Sequence, residues 1–499
     1  MKAAMGPVFR ARMLDDSSSV PRYRRLYELL RRALLDGTIP PGSRLPSTRT
    51  LADDLGVSRN TVTAAFDMLV EHELIESRVG AGSYASPNLA WTRTTAAQSD
   101  GSRATERPTP KREISQRAAQ LITDAQARDP DHPSAFSVGL PALDAFPLTT
   151  WRRIVARRAR QSTVQGLRHG DPQGDPRLRT LIARHLITAR GVHCEASQVV
   201  ILPSAQMGLD LASRVLLDPG DTVWIEDPGY LGARGALRTA GAHLVPVPVD
   251  HEGLQIDEGE SRAPNARLAY VTPSHQFPSG VSMSLRRRLK LLAWAENTDA
   301  WILEDDYDSE YRYTGTADQA LQGLDRAARV LYLGTFSKVL FPALRLAYLV
   351  LPDDLVEPFV AARFLTDGHV VPASQEALAD FIEAGHLVSH IRRMRKLYHR
   401  RRDVLLEEGQ RRFHDRLTFV SGAEAGMHIT ARLHDGDDQE LARAAATHGI
   451  DLAPLSRYFL GSQPTHGVTF GYAHLTPETI VEACAIVEKV LDPRWNRND

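Results

Sequence analysis

The chain has 499 residues, too many for one ordinary domain and suited to two or three. Apolar residues make up 42%, enough for a sizeable core, and a net charge of −1 excludes a uniformly basic nucleic-acid binder. No run of about 18 uncharged apolar residues occurs, which argues against a membrane span.

The first stretch, 1–19, is polar and Ser-rich and reads as a disordered leader. Its basic residues precede no apolar region, so it does not read as a secretory signal. Cys194 and Cys484 have neither a signal nor a ligand spacing beside them. They fit two inert thiols in a cytoplasmic protein better than a disulfide framework or a zinc site.

Residues 20–88 form a compact unit. Arginines 22, 24, 25, 31 and 32 crowd its first helix, predicted over Arg22–Leu35 with Tyr23, Leu26, Tyr27, Leu30, Ala33 and Leu34 on one face and Gly37 as its stop. Ser47 caps a second helix, Thr48–Leu55, which Gly56 ends. Ser58 caps a third, running to about His72 with Val62, Ala65, Phe66, Leu69 and Val70 inward. Two short strands, near 74–77 and 83–85, flank a glycine-rich turn. The order is helix, helix-turn-helix, wing. The first turn of the third helix exposes Ser58, Arg59, Asn60 and Thr61 toward a DNA groove. Arg44 and Arg49 can neutralise phosphates. The string GTIPPGSRLPSTRTLADDLGVSRNTV at 37–62 resembles the GntR family of winged helix-turn-helix regulators. The resemblance implies that Arg44, Arg49, Ser58, Arg59, Thr61, Gly80 and Gly82 meet double-stranded operator DNA.

Residues 89–130 are rich in Ser, Thr, Ala, Arg and Pro and read as a linker. Within it, 113–127 sets Ile114, Ala118, Leu121 and Ile122 at helical spacing, predicting a short amphipathic helix. From 131 to 499, apolar runs at 199–202, 222–225, 243–247, 268–272, 300–303, 330–333 and 347–351 alternate with helical stretches. That alternation predicts an α/β domain with a mainly parallel central sheet.

Four segments of this domain carry chemistry. The turn Pro203-Ser204-Ala205-Gln206 opens a helix whose N–H groups and dipole suit a phosphate. Tyr230 follows a strand, where it can stack on a ring or simply pack. Asp305 and Tyr307 end another strand. A carboxylate there can pair with a protonated pyridine nitrogen, and a tyrosine can reach a ring oxygen. The neighbouring acids also suit magnesium, but no phosphate-transfer loop accompanies them. Finally, Gly334-Thr335-Phe336-Ser337-Lys338 places a lysine between small polar residues and apolar flanks, where desolvation makes its amine a nucleophile. Thr335, Ser337 and Arg345 offer hydroxyls and a planar fork to phosphate oxygens.

In order and spacing, these segments resemble the fold-type I aminotransferases from about Phe136 onward. With the GntR-like head, the chain resembles the MocR/GabR family of regulators over nearly its whole length. The strings GDPQGDPRLR, TPSHQFPSG, EDDYDSEYRY and GTFSK carry the likeness. The resemblance implies pyridoxal 5'-phosphate (PLP) as cofactor, with Lys338 as the catalytic lysine that carries it. It implies Asp305 at the pyridine nitrogen, Tyr307 at the ring oxygen and Tyr230 stacked on the ring. It places the phosphate on Arg345, Thr335, Ser337, Ala205 and Gln206. It also implies a head-to-tail homodimer responding to PLP, an amine or an amino acid.

Three departures qualify this. Aminotransferases carry Asn-Pro-x-Gly, whereas Phe277-Pro278-Ser279-Gly280 stands here, leaving His275 or Gln276 to replace the asparagine. His169 occupies the place of a tyrosine before Gly170-Asp171-Pro172. Thr469 aligns with the arginine that clamps a substrate carboxylate, and one hydroxyl cannot supply a bidentate ion pair. A sensor of PLP or of an amine therefore fits better than a working aminotransferase with an appended DNA-binding head.

Overall fold

The structure, a computed structural model, describes residues 20–78, 82–87, 113–116, 118, 119, 122, 134–313, 319–413, 416–420, 424–461 and 464–492. The chain divides between residues 113 and 114 into two compact units. The expected leader, nearly all of the linker and most of the 113–127 helix lie outside the described residues, as does Gly80.

The first unit contains α1 (Arg22–Leu35), α2 (Thr48–Leu55), α3 (Arg59–Glu71), β1 (Ile75–Arg78) and β2 (Gly82–Ala85). The three helices follow the sequence expectation, α2 and α3 because their caps are chemically distinct. Ser47 Oγ accepts from Thr50 N at 3.1 Å and Ser58 Oγ from Thr61 N at 3.2 Å, each satisfying an otherwise orphaned donor. Gly56 stops α2 in the left-handed conformation, φ 67°. Leu26, Leu30, Leu51, Leu55, Val62, Phe66 and Leu69 form the core. Tyr23 and Val70, expected inside, are 39% and 41% exposed. Both sit near the ends of their helices, where the apolar stripe runs past the packed centre. Removing the α3 cap with Ser58→Ala is expected to cost about 1 kcal/mol. Calorimetry of the full chain should show the head's transition at lower temperature and the second unit's unchanged.

The hairpin pairs Ile75 with Ala85 through Arg78 with Gly82. Arg44 forms a bridge to Tyr84, and its guanidinium lies along Gly82, where a Cβ would come within 3.3 Å of Nε. The expected phosphate ligand Arg44 is thus built into the base of the wing.

The second unit is α/β. Its main sheet contains β3 (Val199–Leu202), β4 (Thr222–Asp227), β5 (His243–Asp250), β6 (Gly253–Leu254), β7 (Leu268–Val271), β8 (Trp301–Asp306), β9 (Val330–Thr335) and β10 (Ala347–Val350). The spatial order is β3-β10-β9-β8-β7-β4-β5-β6. The joins β9-β8-β7-β4-β5 are parallel, whereas β10 runs antiparallel to both its neighbours and β6 antiparallel to β5. Strands such as β3, β7 and β10 are buried throughout, as both-face coverage by helices requires. A second, antiparallel sheet contains β11 (Leu417–Phe419), β12 (His428–Leu433), β13 (Ala453–Pro454) and β14 (Gly467–Gly471) in the order β11-β12-β14-β13. Its core of Phe413, Ile429, Phe470, Cys484 and Val487 buries one cysteine; Cys194 is half-buried, and both are free thiols. The carboxyl ends of β3, β4, β7, β8 and β9 open on one side of the main sheet. Ligands of open α/β sheets bind at such an edge.

Candidate functional site

These strand ends line a cavity of about 290 Å³ that contains Lys338. The chain leaves β9 at Thr335, whose Oγ1 accepts from Ser337 N at 3.1 Å, and this tight turn sets the lysine. Lys338 Nζ donates to the carbonyl of Gly139 at 2.8 Å. A Cβ at residue 139 would stand 2.6 Å from Nζ, and φ is +81°, so the position requires glycine. Beyond a short turn, Arg345 adopts a left-handed backbone, φ 53°, which a non-glycine residue keeps only under tertiary constraint. Thr335, Ser337 and Arg345 line the cavity together with Ser204, Ala205 and Gln206 at the start of the twelve-residue helix Ala205–Leu216. Two hydroxyls, a guanidinium and a helix N-terminus form a donor set suited to a dianion.

Across the cavity, β8 ends in two carboxylates with different tasks. Asp306 faces away: it pairs with the buried Arg190 at 2.8 Å and accepts from Tyr332. Asp305 lines the cavity. One oxygen accepts from Tyr270 at 2.8 Å, while Oδ1 is buried without a partner. Burial pushes this carboxyl up to about 7, against the pull of the Tyr270 bond and Lys338. The folded chain without cofactor therefore keeps this proton where the unfolded chain has lost it. Stability must fall as pH rises from about 4 to about 7 and level off above. Asp305→Asn cannot ionise and is expected to raise the unfolding free energy read from urea titrations at about pH 8 by up to about 4 kcal/mol while matching the parent at about pH 4. Equal gains at both pH values would exclude this origin.

Tyr307 also lines the cavity, and burial keeps its phenol protonated far above the ordinary tyrosine range. Tyr230 stands at the mouth, edge-on to Phe277 at 5.8 Å. The two candidates for the missing asparagine lie elsewhere. Gln276 is spent on its surroundings: Nε2 donates to Glu226, Pro228 O and Phe277 O, and Oε1 accepts from Ser279. His275 sits behind Tyr307, its Nδ1 3.0 Å from the phenol oxygen, and is not among the lining residues.

Phe277, noted in the sequence for replacing an asparagine, lines the cavity, as do Tyr270, Thr272, His428 and Tyr458, which drew no attention as sequence. His428 opens β12 and is held neutral, far below the usual imidazole range, by burial and by nearby His275 and Lys338. Tyr458 comes from the second sheet's side. Arg234 donates to its carbonyl at 2.7 Å and Gly229 N at 3.0 Å, while Asp227 accepts from Leu460 N at 2.7 Å. Thr469 is fully buried, 3.0 Å from the Thr430 hydroxyl, and does not reach the cavity. Lys338 and Arg345 are the cationic side chains among the described lining residues.

In the first unit, Arg44, Arg49 and Arg59 are exposed. The hydroxyls of Ser58 and Thr61 lie 2.9 Å apart, engaged in capping α3. Arg59 and Asn60 are left as the outward groups of its first turn.

Comparison with known proteins agrees with both halves. Residues 22–84 match the model of bacterial regulatory proteins of the gntR family, and 135–487 that of aminotransferase class I and II. A probable rhizopine catabolism regulatory protein, MocR, of Rhizobium meliloti is 42% identical over 94% of each chain. The HTH-type pyridoxine biosynthesis transcriptional regulator PdxR of Corynebacterium glutamicum is 30% identical over 93% of this chain and 94% of its own. Among solved structures, the multiple substrate aminotransferase of Thermococcus profundus superposes on 77% of the chain and 96% of its own with a TM-score of 0.68 at 26% identity.

Proposed function

Because the chain belongs to the MocR-type regulators, GntR-headed DNA-binding transcription regulators with an aminotransferase class I and II domain, we propose that this domain holds PLP on Lys338 and uses it to sense PLP itself or an amine. One observation carries the reading: Asp305, whose Oδ1 is buried without a partner, lines the same cavity as Lys338 and a donor set suited to a dianion. An orphaned buried oxygen is costly unless a ligand donor satisfies it. Bound, PLP supplies an aldehyde for primary amines and a ring that withdraws electrons.

The chain's own residues divide the work. Lys338 offers its amine. Asp305 accepts from the pyridine N–H, Tyr307 donates to the ring oxygen and Tyr230 covers the ring. Ala205, Gln206, Thr335, Ser337 and Arg345 hold the phosphate. Neutral His428 and the Phe277–Tyr458 wall bound the remaining space without adding a cation, so an amine lacking a carboxylate fits better than an amino acid. Effector binding shifts an equilibrium between arrangements of a homodimer in the cytoplasm, and so alters how two heads engage operator DNA.

Gel shifts on the gene's own upstream region, with and without PLP, test this together with a PLP absorbance titration. A PLP-dependent change in shift and a saturable band are expected; no band, or shifts indifferent to PLP, count against sensing. The alternative, a working aminotransferase, predicts steady amino-group transfer between an amino acid and a 2-oxo acid. The burial of Thr469 disfavours it.

A further inference from the structure

Beside the cavity lies a buried cluster, His275, Asp308 and His428, of which only His428 lines it and none is among the cofactor contacts above. Its geometry centres on one proton. His275 Nδ1 stands 3.0 and 3.2 Å from the two Asp308 oxygens and 3.0 Å from the Tyr307 hydroxyl. That hydroxyl donates to the main-chain oxygen of His275 at 2.9 Å. The side chains of His275 and Asp308 are each 1% exposed. His275 Nε2 is buried with no partner, and its ring edge packs against Gly426, where a Cβ would fall 2.6 Å from Nε2. The Asp308 carboxylate is engaged with Nδ1.

We infer that Asp308 is a positioning residue, which acts through the His275 imidazole to keep the Tyr307 hydroxyl a donor toward the cavity. A buried carboxylate beside Nδ1 requires a hydrogen there, because two acceptors at 3.0 Å would repel. With Nδ1 occupied by its N–H, the imidazole cannot take up the phenol proton. Tyr307 can then turn its O–H from the His275 carbonyl to an oxygen acceptor in the cavity. Without the carboxylate, the hydrogen moves to Nε2, Nδ1 becomes an acceptor and captures the Tyr307 O–H in an O–H···N bond. The sequence's departure from Asn-Pro-x-Gly thus places a tunable group behind the phenol instead of a direct contact to the ring. This use of Tyr307 rests on the PLP reading, but the state of His275 does not.

Two measurements on the full chain separate these. Nitrogen-15 NMR of histidine-labelled protein without cofactor should show His275 as the Nδ1–H form in the parent and the Nε2–H form in Asp308→Asn. The same form in both proteins overturns the inference, whatever PLP does. With PLP, Asp308→Asn should weaken binding roughly three- to tenfold and redistribute the long- and short-wavelength bands of the bound chromophore. Asp308→Glu should restore both in part. In a Tyr307→Phe background the same Asn substitution should change neither. Equal losses with and without the phenol mean that Asp308 acts by some route other than Tyr307, and sink the proposal. Should Asp308→Asn not fold, His275→Gln, which can accept as well as donate beside Tyr307, must give the same PLP loss; unchanged binding is again fatal.

Discussion

Lys338→Ala is expected to abolish all PLP that survives dialysis and borohydride reduction, while the chain still binds operator DNA in the absence of PLP. The side chain projects from a turn fixed by Thr335 and Ser337, and Gly139 is shaped to the ammonium group. No other lysine lines the cavity among the described residues, so no second amine stands ready to substitute. The remaining donors, Arg345, Thr335, Ser337 and the helix start at Ala205, still form a phosphate site. Weak reversible PLP binding should therefore persist, visible as a spectrum that washes out. Mass spectrometry after reduction reads the covalent part directly: the parent gains one reduced PLP and the variant none. Labelling of the variant at full yield would remove Lys338 from its assigned role. Because the substitution shortens a side chain and buries no new polar group, the unfolding midpoint should move little, which separates loss of the cofactor from loss of the fold.

Much of this was legible in the sequence because the informative residues are chemically distinctive where they stand. Serines at two helix caps and a glycine at a helix stop declare both ends of α2 and the start of α3 to the residue. Each apolar run expected as a strand is one, and all but β10 at 347–351 run parallel in the main sheet, since strands covered on both faces leave an unbroken apolar signal. Asp305, Tyr307, Thr335, Ser337, Lys338 and Arg345 meet in one cavity because their motifs lie at strand ends, and a parallel sheet brings strand ends together. The residues that sequence reading passed over enter by another route. Tyr270 and Thr272 sit within or just after an apolar strand and resemble core. His428 and Tyr458 arrive from a separate sheet, and no local pattern reports a contact between distant segments. His275 shows the opposite difficulty. Its motif suggested a direct ring contact, but the imidazole is drawn back by Asp308, whose charge-assisted bond outweighs a neutral one. Thr469 was legible as a departure, whereas its burial against Thr430 was not.

On the DNA side, Arg59→Ala is expected to weaken binding to the specific operator roughly 10- to 100-fold, and binding to scrambled DNA much less. Arg59 is the first residue of α3, exposed and beyond the cap formed by Ser58 and Thr61. The N-terminal turn of a recognition helix is the part that enters the major groove, and an arginine there can bond two acceptors of one guanine. Arg44 serves as its control. It is anchored at the wing through the Tyr84 bridge and lies along Gly82, a place for backbone contact without base reading. Arg44→Ala should weaken operator and scrambled DNA by the same factor and lower the slope of log affinity against log salt by about one. Fluorescence anisotropy over a salt series on both DNAs distinguishes the two arginines in a single experiment. If Arg59→Ala lowers both affinities equally with a reduced salt slope, Arg59 is a phosphate contact and sequence is read elsewhere, with Asn60 the next outward side chain on the same turn.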